Sequence, residues 1–314
     1  MPDEHGYLLV HHVEAPDGHG EQVFFSLSDG DDARRWTRRN RGEPVLIWSS
    51  GTTGVRDPHV VAGAGEFFVV ATDLRIYGGD GRGWDEWTRT GSRDVVVWRS
   101  EDLVHWSQPW ALEIAPPTAG MAWAPEAVFD EASGEFLVHW SSTLYDPQDT
   151  DHRGPSHSRV LAARTRDFRS AGPAEVVIDR GFSVIDTTTF RDGDLAVRVS
   201  KDDSRRPDAL KLFQETDAGS GWELVATRIA DELYADVEAP IVFRDRRRGV
   251  WYLLVDQFEV RPQGYTALVS DDPASGRWTP LPPGGFSIPP NTKHGGVLPL
   301  VGDQWQRLAE AFPA

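Results

Sequence analysis

The chain has 314 residues, 39% of them hydrophobic, and a formal net charge of −17. That length supports a large core, and the negative surface repels nucleic acid and anionic lipid, so neither nucleic acid nor membrane is an expected partner. Cysteine is absent, which removes disulfides, zinc–thiolate sites and a cysteine nucleophile. No apolar run is long enough to cross a bilayer as a helix. The N-terminal Met-Pro-Asp-Glu-His-Gly has no basic or apolar leader region, so the chain as it stands reads as cytoplasmic, and as secreted if a signal was trimmed.

In chain order, Tyr7 to Val13 is a first strand-forming run, and Val23 to Leu27 leads through a polar turn to Trp36. A recurring pattern follows. Asp57-Pro-His-Val-Val opens a strand, Gly65 turns it, Phe67 to Val70 returns, Val95 to Trp98 gives a third strand, and Trp106 marks a fourth. The second copy runs from Ala124-Pro-Glu-Ala-Val-Phe through Gly134, Phe136 to Val138, Val160 to Ala163 and Phe168. The third runs from Asp186-Thr-Thr-Thr-Phe through Gly193, Leu195 to Val197, Leu210 to Phe213 and Trp222. The fourth runs from Glu238-Ala-Pro-Ile-Val-Phe through Gly249, Trp251 to Leu254, Thr266 to Val269 and Trp278. His294-Gly-Gly-Val-Leu-Pro-Leu opens a fifth, whose missing strands are the N-terminal ones.

Units of about sixty residues built from four antiparallel strands are the signature of propeller blades. The expected fold is therefore an all-β, five-bladed β-propeller with a central active-site funnel and a closing blade shared between the N- and C-termini. Residues 1–314 read as a single domain. Stretches 78–93 and 145–158 read as loops over the funnel, and no helical periodicity of useful length is present. Trp36, Trp106, Trp222 and Trp278 occupy equivalent outer positions and are expected to pack between blades.

In a propeller the first strand of each blade lines the channel, so residues at its start form a ring. The expected ring is Asp57, Ala124, Asp186, Glu238 and His294, with Asp73, Ser141, Lys201 and Asp256 on the returning strands near the rim of the same funnel. Carboxylates gathered at one point suit glycosidic cleavage. An inverting enzyme needs a base to activate water and a protonated acid for the leaving oxygen, about 6.5–9.5 Å apart. A third negative charge beside the acid raises its pKa.

The motifs Val55-Arg-Asp-Pro58, Trp123-Ala-Pro-Glu126, Val184-Ile-Asp186, Val237-Glu-Ala-Pro240 and Lys293-His-Gly-Gly-Val297, in this order, resemble glycoside hydrolase family 43 over nearly the whole chain. The resemblance implies a five-bladed inverting hydrolase with Asp57 as general base, Glu238 as general acid and Asp186 as the group that tunes the acid. It implies that Arg198 contacts the acid and the sugar, and that His294 lies under the site, with a structural calcium ion possible there and no other cofactor required. It departs at Ala239, where the family motif usually has glycine. Trp123, Lys201 and Asp73 are further substrate-binding candidates, and Trp84 and Trp87 are candidate pocket walls.

The implied substrate is an oligosaccharide or polysaccharide and the expected action is exo. α-L-Arabinofuranose ranks first, ahead of β-D-xylose and β-D-galactofuranose. A non-catalytic sugar-binding propeller, a fructosidase and a glycoside phosphorylase stand as alternatives. The His11-His12 pair with Glu14 is set aside as a metal site, because neighbours in a strand point to opposite faces.

Overall fold

A strand that is apolar at every position needs cover on both faces. Val95, Val96, Val97 and Trp98 form such a run, and all four are buried. The computed structural model, which describes residues 4–15 and 20–314, shows how that cover is supplied. The strands begin with β1 (Glu4–His11), β2 (Phe24–Asp29) and β3 (Asp32–Arg38). Blade one follows as β4 (Val55–Gly63), β5 (Glu66–Asp73), β6 (Asp94–Ser100) and β7 (Trp110–Glu113). Blade two is β8 (Trp123–Asp130), β9 (Glu135–Thr143), β10 (Ser158–Thr165) and β11 (Glu175–Ile178). Blade three is β12 (Val184–Asp192), β13 (Leu195–Asp202), β14 (Leu212–Asp217) and β15 (Glu223–Ala226). Blade four is β16 (Glu238–Asp245), β17 (Val250–Gln257), β18 (Gly264–Ser270) and β19 (Thr279–Pro280). The last strand, β20 (Gly295–Val301), pairs with β1 and completes a closing blade ordered β20-β1-β2-β3. Strands β20, β4, β8, β12 and β16 touch in cyclic order around the axis. This is the five-bladed propeller expected from the repeats, closed by both ends of the described chain.

The core lies between blades. Phe68, Phe136, Trp140 and Phe168 fill the space between blades one and two. Phe25, Leu300, Val55 and Trp98 join the closing blade to blade one. Tyr7, Trp36, Phe243 and Tyr252 join it to blade four. The contact between blades two and three is thinner in apolar residues, with Val160, Ile178, Val184 and Phe213 at its centre.

Three details differ from the sequence reading. The stretch 78–93 contains helix α1 (Trp84–Thr90), with Asp85 and Glu86 in its first turn and an Asp85–Arg89 ion pair at 3.0 Å. A seven-residue helix is too short to show a period, and it forms because Trp87 is buried beneath it. Helix α2 (Gln304–Ala311) likewise packs Leu308 and Trp305 onto the closing blade. Trp106 and Phe168 sit in the turns before their fourth strands, not in them. Trp222 is 38% exposed and does not fill an inter-blade space; the Arg198 guanidinium stacks 4.0 Å from its ring centre.

Candidate active site

Every inner strand from blade one to blade four breaks register at its start. The ladder skips between Arg56 and His59, Trp123 and Glu126, Ile185 and Thr188, and Glu238 and Ile241. At each break one residue takes the left-handed conformation: Asp57, Ala124, Asp186 and Ala239, with φ of 51°, 48°, 50° and 54°. Bulges of this kind re-aim side chains at barrel and propeller mouths. Here, in blades one and three, they turn two successive residues toward the funnel, Arg56 with Asp57 and Ile185 with Asp186.

The ring expected from sequence is therefore corrected by one residue. Ala239, not Glu238, is the counterpart of Asp57 and Asp186. Glu238 holds the preceding position, paired with Asp256, as Arg56 pairs with Thr72, Trp123 with Ser141 and Ile185 with Lys201. Both positions line the same cavity of ≈ 80 Å³, where Asp57, Asp186, Glu238, Trp123 and His294 meet. That volume holds about five to eight waters at roughly 10–15 Å³ of centre space each, the scale of a single sugar ring.

Left-handed backbone is costly for a non-glycine residue, and hydrogen bonds between blades hold it. The Asp57 N–H donates to His12 Nδ1 at 3.2 Å, Ala124 N–H to Thr72 Oγ1 at 2.8 Å and Asp186 N–H to Ser141 Oγ at 3.2 Å. In the fourth case the Ala239 N–H donates to a carboxylate of the site, Asp186 Oδ2, at 3.1 Å. Thr72 Oγ1 also donates to Asp57 Oδ2 at 2.9 Å. The bonds that hold the backbone thus also orient two of the three acids.

The charges are distributed unevenly. His294 Nδ1 lies 3.3 Å from Asp57 and 3.9 Å from Asp186. Burial opposes its protonation, but the two carboxylates outweigh burial and raise its pKa to about 9. Burial would raise Asp57, yet His294 and Arg56 hold it well below the usual carboxylate range. Burial, then Glu238 and Asp57, raise Asp186 to about 6 against the pull of His294 and Lys201. Lys201 Nζ is 3.4 Å from Glu238 and is almost fully buried. Behind Glu238, Asp256 is raised to about 7 by burial and by Glu238, against Lys293, whose Nζ is 2.9 Å away.

Three expected contacts are absent from the cavity. Arg198 points to the outer side of blade three, where it pairs with Glu215 at 2.7 Å and covers Trp222, so it does not reach Glu238. Its register places it three residues before Lys201, on the opposite face of β13. Asp73 is likewise one residue from the position facing the site. Thr72 occupies that position, and Asp73 accepts from Trp48 Nε1 and Thr52 on the other side of β5. Trp123 and His294 line the cavity, and Trp84 meets Trp123 edge-on at 5.9 Å; Lys201 does not line it but is buried against Glu238 at 3.4 Å.

A calcium ion takes six to eight oxygen ligands. At His294 the two carboxylates are already held by the imidazole, Thr72 and the Ala239 N–H, and a protonated imidazole offers no lone pair at Nδ1. Among the described residues no group of three or more His, Asp or Glu forms a metal site. The donor set does not fit the calcium that the resemblance allowed.

Sequence reasoning gave no role to Thr72, Arg56 and Glu126; it considered His12 only as a metal ligand and placed Asp256 on a returning strand without a role. Thr72 and Asp256 hold the returning-strand position, which their pairing partners identify once the bulges are known. Glu126, at the end of the Trp123-Ala-Pro-Glu126 motif, is buried between blades two and three. It hydrogen-bonds to Thr188 and the Thr189 backbone, and burial raises it to about 8.

Three carboxylates from three blades meet at the mouth of the propeller, a set that suits the paired-carboxylate chemistry of glycoside hydrolysis. The family model described as "Probable glycosyl hydrolase domain", related to family 43, matches residues 3–306, and the chain belongs to that family. An α-L-arabinofuranosidase of Bifidobacterium longum subsp. longum is 30% identical over 212 residues, which cover 63% of this chain and 20% of that protein. The matched region thus spans about a fifth of that relative's length. An exo-1,5-α-L-arabinanase from a bovine ruminal metagenomic library superposes with a TM-score of 0.56 at 14% identity, covering 86% of this chain and 90% of its own. The catalytic domain of a family 62 α-L-arabinofuranosidase from Coprinopsis cinerea gives 0.53 at 14% identity, covering 80% and 75%. Both structures share the fold.

Proposed function

We propose that this protein hydrolyses O-glycosidic bonds with inversion and releases a terminal sugar, with α-L-arabinofuranosides the first candidates ahead of β-xylosides and β-galactofuranosides. The observation that carries the reading is the meeting of Asp57, Asp186 and Glu238, from three blades, in one cavity of single-sugar size. Asp57, held ionised by His294 and oriented by Thr72, takes a proton from the attacking water. Glu238, at the start of the inner strand of blade four, gives its proton to the leaving oxygen. Asp186 is anchored by the Ala239 N–H, on the residue that follows the acid. The small cavity favours exo action. The Bifidobacterium relative supports arabinofuranose.

The test is a panel of nitrophenyl glycosides. Asp57→Asn and Glu238→Gln are each expected to lower kcat/KM on the best substrate by about 10²–10⁴ with an unchanged circular dichroism spectrum. Near-full activity in either variant would refute the assignment. Sugar binding without release by the wild-type protein would favour a binding propeller, and a requirement for phosphate would favour a phosphorylase.

A further inference from the structure

We propose a second glycan subsite beside the funnel, one that binds a neutral oligosaccharide segment whose terminal sugar occupies the catalytic cavity. The proposal rests on the glycosidase reading for its substrate class, but its residues and its test are separate. A cavity of ≈ 600 Å³ lies next to the funnel, within the roughly 300–1,000 Å³ common for ligand sites. The two cavities share the end of β5 and helix α1. Leu74 and Trp84 face the funnel, whereas Asp73, Arg75 and Trp87 face the larger cavity.

The lining is built for hydroxyl groups. Asp73 is 5% exposed, and its Oδ1 accepts from Trp48 Nε1, the Thr52 N–H and Thr52 Oγ1 at 2.9, 3.0 and 2.9 Å. Its Oδ2 accepts from none of the described residues. Gly51, at φ +54°, passes directly over that oxygen, and a Cβ there would lie 2.4 Å from it. Glycine therefore keeps the free oxygen uncovered. Arg75 uses Nη1 on Thr53 and Nε on the Tyr77 carbonyl. Arg82 stacks 3.5 Å from the Trp87 ring centre and uses Nε on Asp80 and Nη1 on the Thr90 carbonyl. The Nη2 of each arginine bonds to none of the described residues.

Two aspartates and two arginines leave the cavity formally neutral. An anionic ligand would meet Asp73 and Asp80, and a cation would meet both arginines. A sugar hydroxyl both donates and accepts, so a neutral glycan satisfies the unengaged carboxylate oxygen and the unengaged guanidinium nitrogens together.

The experiment is calorimetric titration of the Glu238→Gln protein, so that cleavage does not interfere. The probes are α-1,5-arabinotetraose, β-1,4-xylotetraose and L-arabinose. Arg82→Ala removes one donor, and Thr90→Trp fills the cavity from the helix. Each is expected to weaken binding of at least one tetrasaccharide tenfold or more while L-arabinose binding is unchanged. The proposal is overturned if neither tetrasaccharide binds, if both variants bind them as before, or if monosaccharide binding falls by the same factor. Should the wild-type protein cleave no glycoside while the variants still weaken tetrasaccharide binding, the subsite stands and the hydrolase reading falls.

Discussion

Thr72 joins two blades through one hydroxyl group: it donates to Asp57 and accepts from the Ala124 N–H. Valine has the same shape and neither function. Thr72→Val is expected to lower kcat about tenfold, because Asp57, the proposed base, loses its orientation, and to cost about 1–3 kcal/mol through the buried unpaired N–H. Thr72→Ser should restore most of both, which kinetics and thermal melts of the two variants will check. Ala239 raises a different question, since its left-handed φ suits glycine better. The strain of about 1–2 kcal/mol is set against a buried methyl worth about 0.8 kcal/mol. Its side chain is fully buried in the core beside Ile241. The two effects nearly cancel, so Ala239→Gly should change stability by less than about 1 kcal/mol in a denaturant titration. A glycine there is not required for the acid to be placed.

At the scale of the elements, the inner strands determine which residues reach the funnel, and this is where the sequence was only partly legible. The apolar runs and their turn glycines marked four strand pairs and the shared closing blade, because burial on both faces leaves an unbroken hydrophobic signal. The bulges left no such signal. A bulge changes the register by one, and a one-residue slip moves a side chain to the other face. That slip explains why Asp73 was placed in the funnel when Thr72 stands there. It also explains why Glu238 was read as the counterpart of Asp57 when Ala239 is. Arg198 failed for a related reason: its motif position was carried over, but its strand face points outward to Glu215 and Trp222.

The interface between blades two and three yields a pH prediction. Glu126 titrates near 8 in the fold against an ordinary value of 4.5. Between those pH values the folded state keeps a proton that the unfolded chain releases, so stability falls as pH rises through that window. Glu126→Gln carries no such proton. The melting temperature of the variant relative to wild type should rise from pH 5 to about pH 8 and level off above it, and a constant difference would show that Glu126 loses its proton at the same pH in the fold as in the unfolded chain.

For the whole molecule, ring closure and chemistry meet at one buried pair. Lys293 precedes the inner strand of the closing blade, Asp256 lies behind Glu238 in blade four, and both are 1% exposed. Lys293→Met would leave the carboxylate buried without a partner, at a cost of roughly 3–5 kcal/mol. Adding Asp256→Leu should recover much of that loss, a pattern that denaturant titrations of the single and double variants would show. The wider consequence of closure is that residues 181 positions apart, Asp57 and Glu238, line one cavity from different blades. In the proposed mechanism Asp57 serves as base and Glu238 as acid, with a water between Asp57 and the sugar, and the product is inverted. Proton NMR of the first-formed product from the best substrate of the glycoside panel tests this most directly. The expected result is the anomer opposite to that of the substrate, with the retained anomer growing in later by mutarotation; the retained anomer appearing first would contradict the mechanism.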